Sequence, residues 1–247
     1  MFIGSRSGFG RSCQGLSKPA CWIPLALVLA LLLPVGELWA GGTPARESEV
    51  VGILAKMEAS YAKVPAYQTE MEVREYRKGK YVESKRFLYT FKKPNQLRID
   101  MQSPQPGTVL VYPDKQGKVT LRPGGWTGFV TLHLAPDNSM LASGSGQRID
   151  QSDFGLLLRN IRHSLTDRRR GEITLSEAEG RISIEVLADD HYLPGVQTLY
   201  RFVFDSARGL PLEEHEATPK GAPKRVTIFG KLKSSITIQE DFFAVQG

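Results

Sequence analysis

The fold is decided by residues 89–112, which read YTFKKPNQLRIDMQSPQPGTVLVY. Apolar and polar residues alternate in LRIDM, residues 97–101, and this period of two is typical of a β-strand with one buried face. Pro94 and Pro104 interrupt the alternation, and proline breaks a central strand because it cannot donate a backbone hydrogen bond. The segment therefore predicts three short antiparallel strands that are joined by tight turns.

The same alternation extends to both sides of this segment. Short apolar strands separated by turn signals occupy residues 67–134, of which 129–134 is the last, and they resume over residues 173–232. Strands at such regular spacing predict an antiparallel meander rather than βαβ units. A meander of about ten strands must curl or fold onto a second sheet, because wide flat sheets are rare.

A helix is predicted before the strands, over Glu47–Val64. Apolar residues recur there at helical spacing, which places four of them on one helix face: Val50, Leu54, Met57 and Tyr61. Ser48 is predicted to cap the start of this helix. Pro65 is predicted to end it, because a proline disfavours helical backbone in the residue before it.

A second helix, over Asp150–Leu165, is predicted between the two groups of strands. It follows a polar, glycine-rich connection at residues 136–148, and Ser152 or Asp153 would cap it. Four residues form its apolar face: Phe154, Leu157, Leu158 and Ile161. A helix in this position would cover the open side of a curved sheet.

The N-terminal region, residues 1–40, predicts a secretory signal peptide. Residues 23–35, IPLALVLALLLPV, are apolar and uncharged, but they are fewer than the roughly 20 residues that a membrane-spanning helix needs. We expect cleavage after Ala40, which would release a single domain, residues 41–247, into the periplasm. The alternative is an N-terminal anchor that is not cleaved.

Composition argues against several kinds of partner. The chain has 32 basic and 26 acidic residues, a formal net charge of +6, without the basic and aromatic patch that nucleic acid requires. The run Arg168–Arg170 is predicted to be a solvated basic face, although contact with an anionic membrane surface is left open. Because Cys13 and Cys21 both lie in the signal segment, the mature chain would have neither a disulfide nor a thiolate metal site.

The sequence shows no catalytic or metal-binding constellation. Its four histidines are scattered without a ligand spacing, and no serine lies in a nucleophile elbow. In the cluster Glu213–Glu216, residues Glu214 and Glu216 would share one face of a strand and His215 the other, and we interpret the cluster as a solvated surface. We therefore predict a protein that is not an enzyme and needs no metal and no cofactor, although a pair of carboxylates that meets across a cleft cannot be identified from one sequence.

The order of elements resembles the superfamily of the outer-membrane lipoprotein carriers LolA and LolB. FKKPNQLR, residues 91–98, is similar to the basic-Pro-Asn turn of that superfamily, and residues 109–111 are similar to its return strand. The helix at Asp153–Ile161 falls where the superfamily keeps a lid. The resemblance implies an α+β fold, in which an N-terminal helix and a lid helix cover the concave face of a curved antiparallel half-barrel, an unclosed β-barrel.

The resemblance also implies a hydrophobic cavity for a lipid or for the acyl chains of a lipoprotein, since each buried methylene contributes about 0.8 kcal/mol. Apolar strand residues would form its wall: Phe87, Tyr89, Phe91, Leu97, Ile99, Met101, Leu110, Phe129 and Leu132. The four apolar residues of the second helix would form its lid. Lys93 stands where the superfamily has a latching arginine, although a lysine offers a point charge rather than a planar fork. The alternative is that all these residues fill an ordinary closed core.

Together these observations favour a periplasmic, non-catalytic carrier that holds a lipid or lipoprotein acyl chains, is a monomer, and meets a membrane or protein of the envelope. The alternative is a protein–protein interaction module of the envelope with the same fold and no lipid cargo. A hydrolase is the third hypothesis. A cavity would distinguish the carrier from the interaction module, and a hydrolase would require histidine and carboxylate side chains to converge in the cleft.

The signal peptide gives a prediction that a mass measurement can check. When the full-length chain is expressed in a Gram-negative host, the periplasmic protein should begin at Gly41, and its intact mass should lack residues 1–40. A protein that keeps these residues and stays in the membrane fraction would show an anchor instead.

Overall fold

The strands form one antiparallel sheet that does not close into a barrel. The computed structural model describes residues 42–245 except 142, 145 and 168, so the predicted signal segment, both cysteines and Arg168 lie outside the described residues. Within this range the sheet has twelve strands: β1 (Thr43–Pro44), β2 (Ala66–Arg77), β3 (Lys80–Lys92), β4 (Gln96–Ser103), β5 (Val109–Tyr112), β6 (Val119–Arg122), β7 (Leu132–Leu134), β8 (Ile173–Ala178), β9 (Arg181–Asp189), β10 (Gln197–Asp205), β11 (Pro211–Ala217) and β12 (Pro223–Ser234). Their order is β1-β8-β9-β10-β11-β12-β2-β3-β4-β5-β6-β7, which leaves β1 and β7 at the two edges.

The predicted half-barrel is confirmed, and the differences lie at the two edges of the sheet. β1 was not predicted, because two residues are too few to show a period. The strand predicted over residues 129–134 is shorter, since Phe129 lies before β7 in a segment of tight turns. There the backbone bonds are local, as the N–H of Gly128 donates to the carbonyl of Gly125 (3.1 Å) and that of Val130 to Thr127 (3.0 Å).

The two meanders are joined through β2 and β12, which come from opposite ends of the described chain. Val73 pairs with Thr227 and Met71 with Phe229 along an antiparallel register. The hydroxyl of Thr69 also donates to the carbonyl of Gly230 (2.8 Å) across the same boundary. Strands β2–β7 and β8–β12 therefore belong to one continuous sheet.

The first helix, α1 (Glu47–Ala62), buries the four apolar residues that were predicted for its inner face. Its cap was predicted wrongly: the residue before the helix is Arg46, which makes no side-chain capping bond, while Ser48 lies inside the first turn. Helix α1 packs against the second helix, α2 (Phe154–Thr166), where the guanidinium of Arg162 donates to the carboxylate of Glu58 (2.6 Å).

Helix α2 begins where the sequence predicted a cap. The carboxylate of Asp153 accepts a hydrogen bond from the N–H of Leu156 (3.1 Å), as an N-cap residue does. Gly155 follows directly, and a Cβ there would lie 3.0 Å from a ring carbon of Tyr61, so the two helices approach closely at this residue. Among the described residues, no helix is both long enough and apolar enough to cross a membrane.

A buried aromatic cluster fixes the start of α2 to the sheet. The ring of Tyr67 on β2 stacks on that of Phe154, with ring centroids 4.2 Å apart, and also contacts Tyr89 and Phe91 on β3. The hydroxyl of Tyr67 accepts a hydrogen bond from the backbone N–H of Phe154 (3.2 Å). One side chain therefore packs against the helix and also satisfies a donor at its first turn.

A second contact holds the other end of α2. The hydroxyl of Ser164 lies 2.7 Å from Nε2 of His191, whose ring stacks on Tyr200 with centroids 4.2 Å apart. Burial lowers the pKa of His191 to about 4, so this histidine is neutral at physiological pH. Both ends of α2 are thus bound to the sheet through polar and aromatic contacts.

The role of Tyr67 can be tested by removing one oxygen atom. Tyr67→Phe keeps the ring stack but leaves the N–H of Phe154 buried without its acceptor, which should lower the free energy of unfolding by about 1–3 kcal/mol. Urea denaturation followed by circular dichroism measures this change. Tyr81→Phe, on a side chain that is 59% exposed, is the control and should change stability little. Equal stability of the two variants would contradict the assigned hydrogen bond.

Candidate ligand cavity

A cavity of about 270 Å³ lies between the sheet and the segment that contains the start of α2. Two or three alternate residues from each of β2, β3, β4 and β12 line it, because side chains alternate between the two faces of a strand. Apolar side chains line most of the wall: Met71, Val73, Phe87, Tyr89, Ile99, Met101, Leu110, Leu141, Phe154, Leu157 and Phe229. Met140 also lines the cavity and is 67% exposed, so the cavity reaches solvent beside it.

Seven of the residues predicted for a cavity line this one. Five come from the strands and two from the helix: Phe87, Tyr89, Ile99, Met101, Leu110, Phe154 and Leu157. The period-two pattern of β3 and β4 selected them, together with the helical spacing of α2. That they contact a ligand remains a prediction.

The other six predicted residues do not line the cavity. Phe91 and Leu97, paired on β3 and β4, are buried in the hydrophobic core, and so are Leu158 and Ile161 of α2. Leu132 is half-buried on the edge strand β7, away from the cavity wall. Phe129 is corrected most clearly, because it is 81% exposed in the turn before β7.

Lys93, predicted as the latch of the lid, contacts α1 instead of α2. Its ammonium donates to the carbonyls of Tyr61 (2.8 Å) and Ala62 (3.2 Å) and lies 4.2 Å from the centroid of the Tyr61 ring. These carbonyls belong to the last turn of α1, where a cation is favourable because the helix ends in unpaired carbonyl groups. Lys93 therefore caps α1, and the charge of Asp153, the N-cap residue of α2, also acts on it. Its role as a latch stays a prediction.

One end of the cavity is charged, although the sequence predicted an apolar cavity throughout. Glu214 and Arg225 line this end, and Glu216 lies beside them. The guanidinium of Arg225 donates to the carboxylate of Glu216 and to Oε1 of Gln147 (2.9 Å). All three charged side chains are buried, with Glu214 only 8% exposed. The interpretation of Glu213–Glu216 as a solvated surface is therefore wrong for Glu214 and Glu216.

The predicted alternation of this strand is nevertheless correct. Glu213 and His215 point to the opposite face from Glu214 and Glu216. Nε2 of His215 lies 2.8 Å from the carboxylate of Glu213. The guanidinium of Arg181 also donates to Glu213 (2.8 Å). These contacts lower the pKa of Glu213 to about 2, mainly through the hydrogen bond from His215. Neighbouring carboxyl groups on β11 thus lie in opposite electrostatic environments.

Glu214 is the unusual group of the cavity. Burial, together with repulsion by Glu216, raises the pKa of Glu214 to about 7, even though Arg225 acts in the opposite direction. Burial also raises the pKa of Glu75, which lines the same end of the cavity. Glu216 takes the direct bond from Arg225, and no described side chain donates a hydrogen bond to Glu214. A buried carboxyl group thus faces the cavity near Arg225 but without a described hydrogen-bond donor of its own.

A sequence signal for this polar end did exist. Glu75 lies in phase with the apolar Met71 and Val73, and Arg225 lies in phase with Thr227 and Phe229. A charged residue in phase with an inward-facing apolar stripe indicates a buried charge, because the period-two pattern fixes its direction.

Among the described residues, no group of three or more His, Cys, Asp or Glu side chains is arranged to hold a metal ion.

No protein-family model matches the chain, and no curated protein matches it. Several solved structures have a similar fold. A domain assigned as an outer membrane lipoprotein-sorting protein from Vibrio parahaemolyticus is 12% identical, with a TM-score of 0.43, over 81% of this chain and 97% of that one. The LolA superfamily protein NE2245 from Nitrosomonas europaea is 9% identical, with a TM-score of 0.37, over 79% of this chain and 97% of that one. MucB in the MucA/MucB complex of Pseudomonas aeruginosa is 15% identical, with a TM-score of 0.42, over 82% of this chain and 62% of that one.

The contrast between Glu213 and Glu214 predicts opposite effects of two neighbouring substitutions. The folded-state pKa of Glu214 is raised from 4.5 to about 7, so this group stabilises the fold below pH 4.5 and the contribution is lost as the pH rises to about 7. Glutamine does not ionise, so Glu214→Gln avoids the cost of a buried charge above pH 7. The variant should raise the free energy of unfolding there by on the order of 3 kcal/mol. At pH 4 the variant and the wild type should be equally stable.

Glu213→Gln is the matched control, because the folded-state pKa of Glu213 is lowered from 4.5 to about 2. This group stabilises the fold above pH 4.5, and the contribution disappears as the pH falls to about 2. The control should therefore be less stable than the wild type at pH 7. Urea titrations at several pH values measure both effects. Destabilisation by Glu214→Gln at pH 8 would contradict an unpartnered carboxyl group and would indicate a direct bond to Arg225.

Proposed function

We propose that the protein is a non-catalytic binding protein of the bacterial envelope that holds an acyl chain in the cavity next to α2. The observation that carries the proposal is the cavity itself, a space of about 270 Å³ with largely apolar walls. Its volume is near the lower end of the range of small-molecule sites, about 300–1,000 Å³. A closed core filled to ordinary packing density would leave only voids near the size of a water molecule.

The cavity volume favours one chain over several. A site of about 270 Å³ lies just below the usual range of small-molecule sites, which favours a single short chain, for example one of about nine methylenes. Their burial contributes roughly 7 kcal/mol at about 0.8 kcal/mol each. Association itself costs several kcal/mol, so the net affinity is modest and release is easy. Reversible holding of one chain suits a carrier.

Helix α2 acts as the cover in this proposal. Phe154 and Leu157 line the cavity, while Leu158 and Ile161 anchor the same helix in the core. The exposed side chain of Met140 marks the place where a chain enters, since it contacts both the cavity and solvent. The unbranched thioether of methionine adapts to chains of different shape. Export to the periplasm is part of the same proposal and rests on the N-terminal segment, residues 1–40.

A second candidate, a protein-docking module of the envelope, is favoured by one observation. Trp126 and Phe129 are 87% and 81% exposed in the turn between β6 and β7. Exposed large aromatic side chains are typical of interaction surfaces. The similar fold of MucB occurs in a complex with MucA, which adds a precedent for a protein partner. The two candidates differ in whether the cavity takes up lipid.

Native mass spectrometry can separate the candidates. The full-length gene is expressed in a Gram-negative host, the protein is purified without detergent, and bound lipid is extracted and identified. The wild type should carry one acyl chain per protein. Leu157→Asp should abolish this adduct, because it places a charge against the apolar wall.

The matched control is Leu156→Asp, on the neighbouring helix residue, which is half-buried and does not line the cavity. This variant should keep the adduct. A wild-type protein that stays free of lipid, and takes up none from decanol or phospholipid, would refute the carrier. The protein-docking module would then be the better description.

A further inference from the structure

The charged end of the cavity has more negative than positive groups. Three carboxyl groups, those of Glu75, Glu214 and Glu216, lie near the guanidinium of Arg225. Arg225 is bound to Glu216, which leaves Glu214 as a buried carboxyl group on the cavity surface without a described hydrogen-bond donor. Burial of a charge without a partner is costly, so a side chain in this state is suited to a partner that arrives with the ligand.

Other cations near this end are already committed to acids of their own. Lys85 lines the cavity, and its ammonium lies 3.1 Å from the carboxylate of Glu83. Arg148 also lines it and is bound to Asp150 (2.6 Å). Lys85 also acts on Glu75, so β3 offsets part of the acidic charge there, but Lys85 and Arg148 each have an acid partner of their own and neither is described as bonded to Glu214.

We propose that this end of the cavity recognises the head group of a single-chain amphiphile that carries a primary ammonium, with Glu214 as the main contact and the alkyl chain along the apolar wall. The inference rests on the proposed function, because it names the class of ligand that the same cavity takes. An ammonium donates up to three hydrogen bonds and supplies the positive charge that the carboxyl groups lack. A carboxylate head group would meet like charges instead.

The remaining polar groups of this end fit the same ligand. Gln147 is held by Arg225, and the hydroxyl of Tyr192 lies 3.4 Å from the side-chain amide of Asn160. Both side chains line the cavity beside Glu214, together with Thr227. The hydroxyl oxygens of Tyr192 and Thr227 each have a lone pair that can accept a hydrogen bond from an ammonium, so they are compatible with this head group, while the choice of charge rests on Glu214.

Three probes with the same chain length test the proposal: decylamine, decanol and sodium decanoate, each below its micellar concentration. Isothermal titration calorimetry with the full-length protein measures their affinities at pH 7.5. Decylamine should bind about tenfold more tightly than decanol, as a charge-assisted hydrogen bond predicts, and decanoate should bind most weakly. Glu214→Gln should reduce the affinity for decylamine to about that for decanol.

Glu213→Gln is the control for position, because it alters the adjacent residue on the opposite face of β11 and should change neither affinity. If Leu157→Asp abolishes the binding of decanol, the probes occupy the cavity, because Leu157 lines it. Equal affinities of the three probes, or tighter binding of decanoate, would overturn the ammonium proposal while the acyl-binding function stands. If none of the probes binds, both proposals fail. The relative affinities of the three probes for the wild-type protein test the ammonium proposal even if Glu214→Gln does not fold.

Discussion

The contact between Tyr67 and Phe154 is the constraint on which the rest of the cavity depends. It fixes the first turn of α2 to the sheet by a ring stack at 4.2 Å and by a hydrogen bond to the backbone. With that turn fixed, helical geometry directs Leu158 into the core and Leu157 into the cavity. The space beside α2 remains open because the helix is held at a set distance, and its own residues do not fill it.

The interior of the half-barrel contains two environments that meet in one cavity. Phe87, Ile99 and Met101 give an apolar surface at which an alkyl chain leaves water. The ion pair of Glu216 and Arg225, with Glu214 beside it, gives a charged surface that an ordinary core would not contain, since replacing a buried ion pair with apolar residues is often neutral or stabilising. In the ligand complex proposed above, a cationic head group would account for the presence of these charges in the cavity.

Much of the architecture follows from local sequence patterns. Period two in residues 97–101 and helical spacing in α1 predicted strands and helices correctly, because each pattern reflects one buried face. Phe129 was misplaced because composition alone does not distinguish an edge strand from a segment of turns with local hydrogen bonds. The cavity lining was predicted only in part, since Leu157 and Leu158 are both apolar, and three-dimensional packing decides which of them borders empty space. Glu214 was missed because its direction was predicted but the far side of the sheet was assumed to be solvated.

The pairing of β2 with β12 has a consequence for how the chain reaches its final state. The cavity wall joins Met71 and Val73 to Thr227 and Phe229, which lie at opposite ends of the described chain. Neither meander can complete this wall by itself, and contacts between distant residues form slowly because a long loop must close first. A chain of this topology stays incomplete until its last strands have been synthesised. If the chain is exported as an extended polypeptide, slow folding keeps it unfolded during translocation. The cavity would then form only after the chain has crossed the membrane.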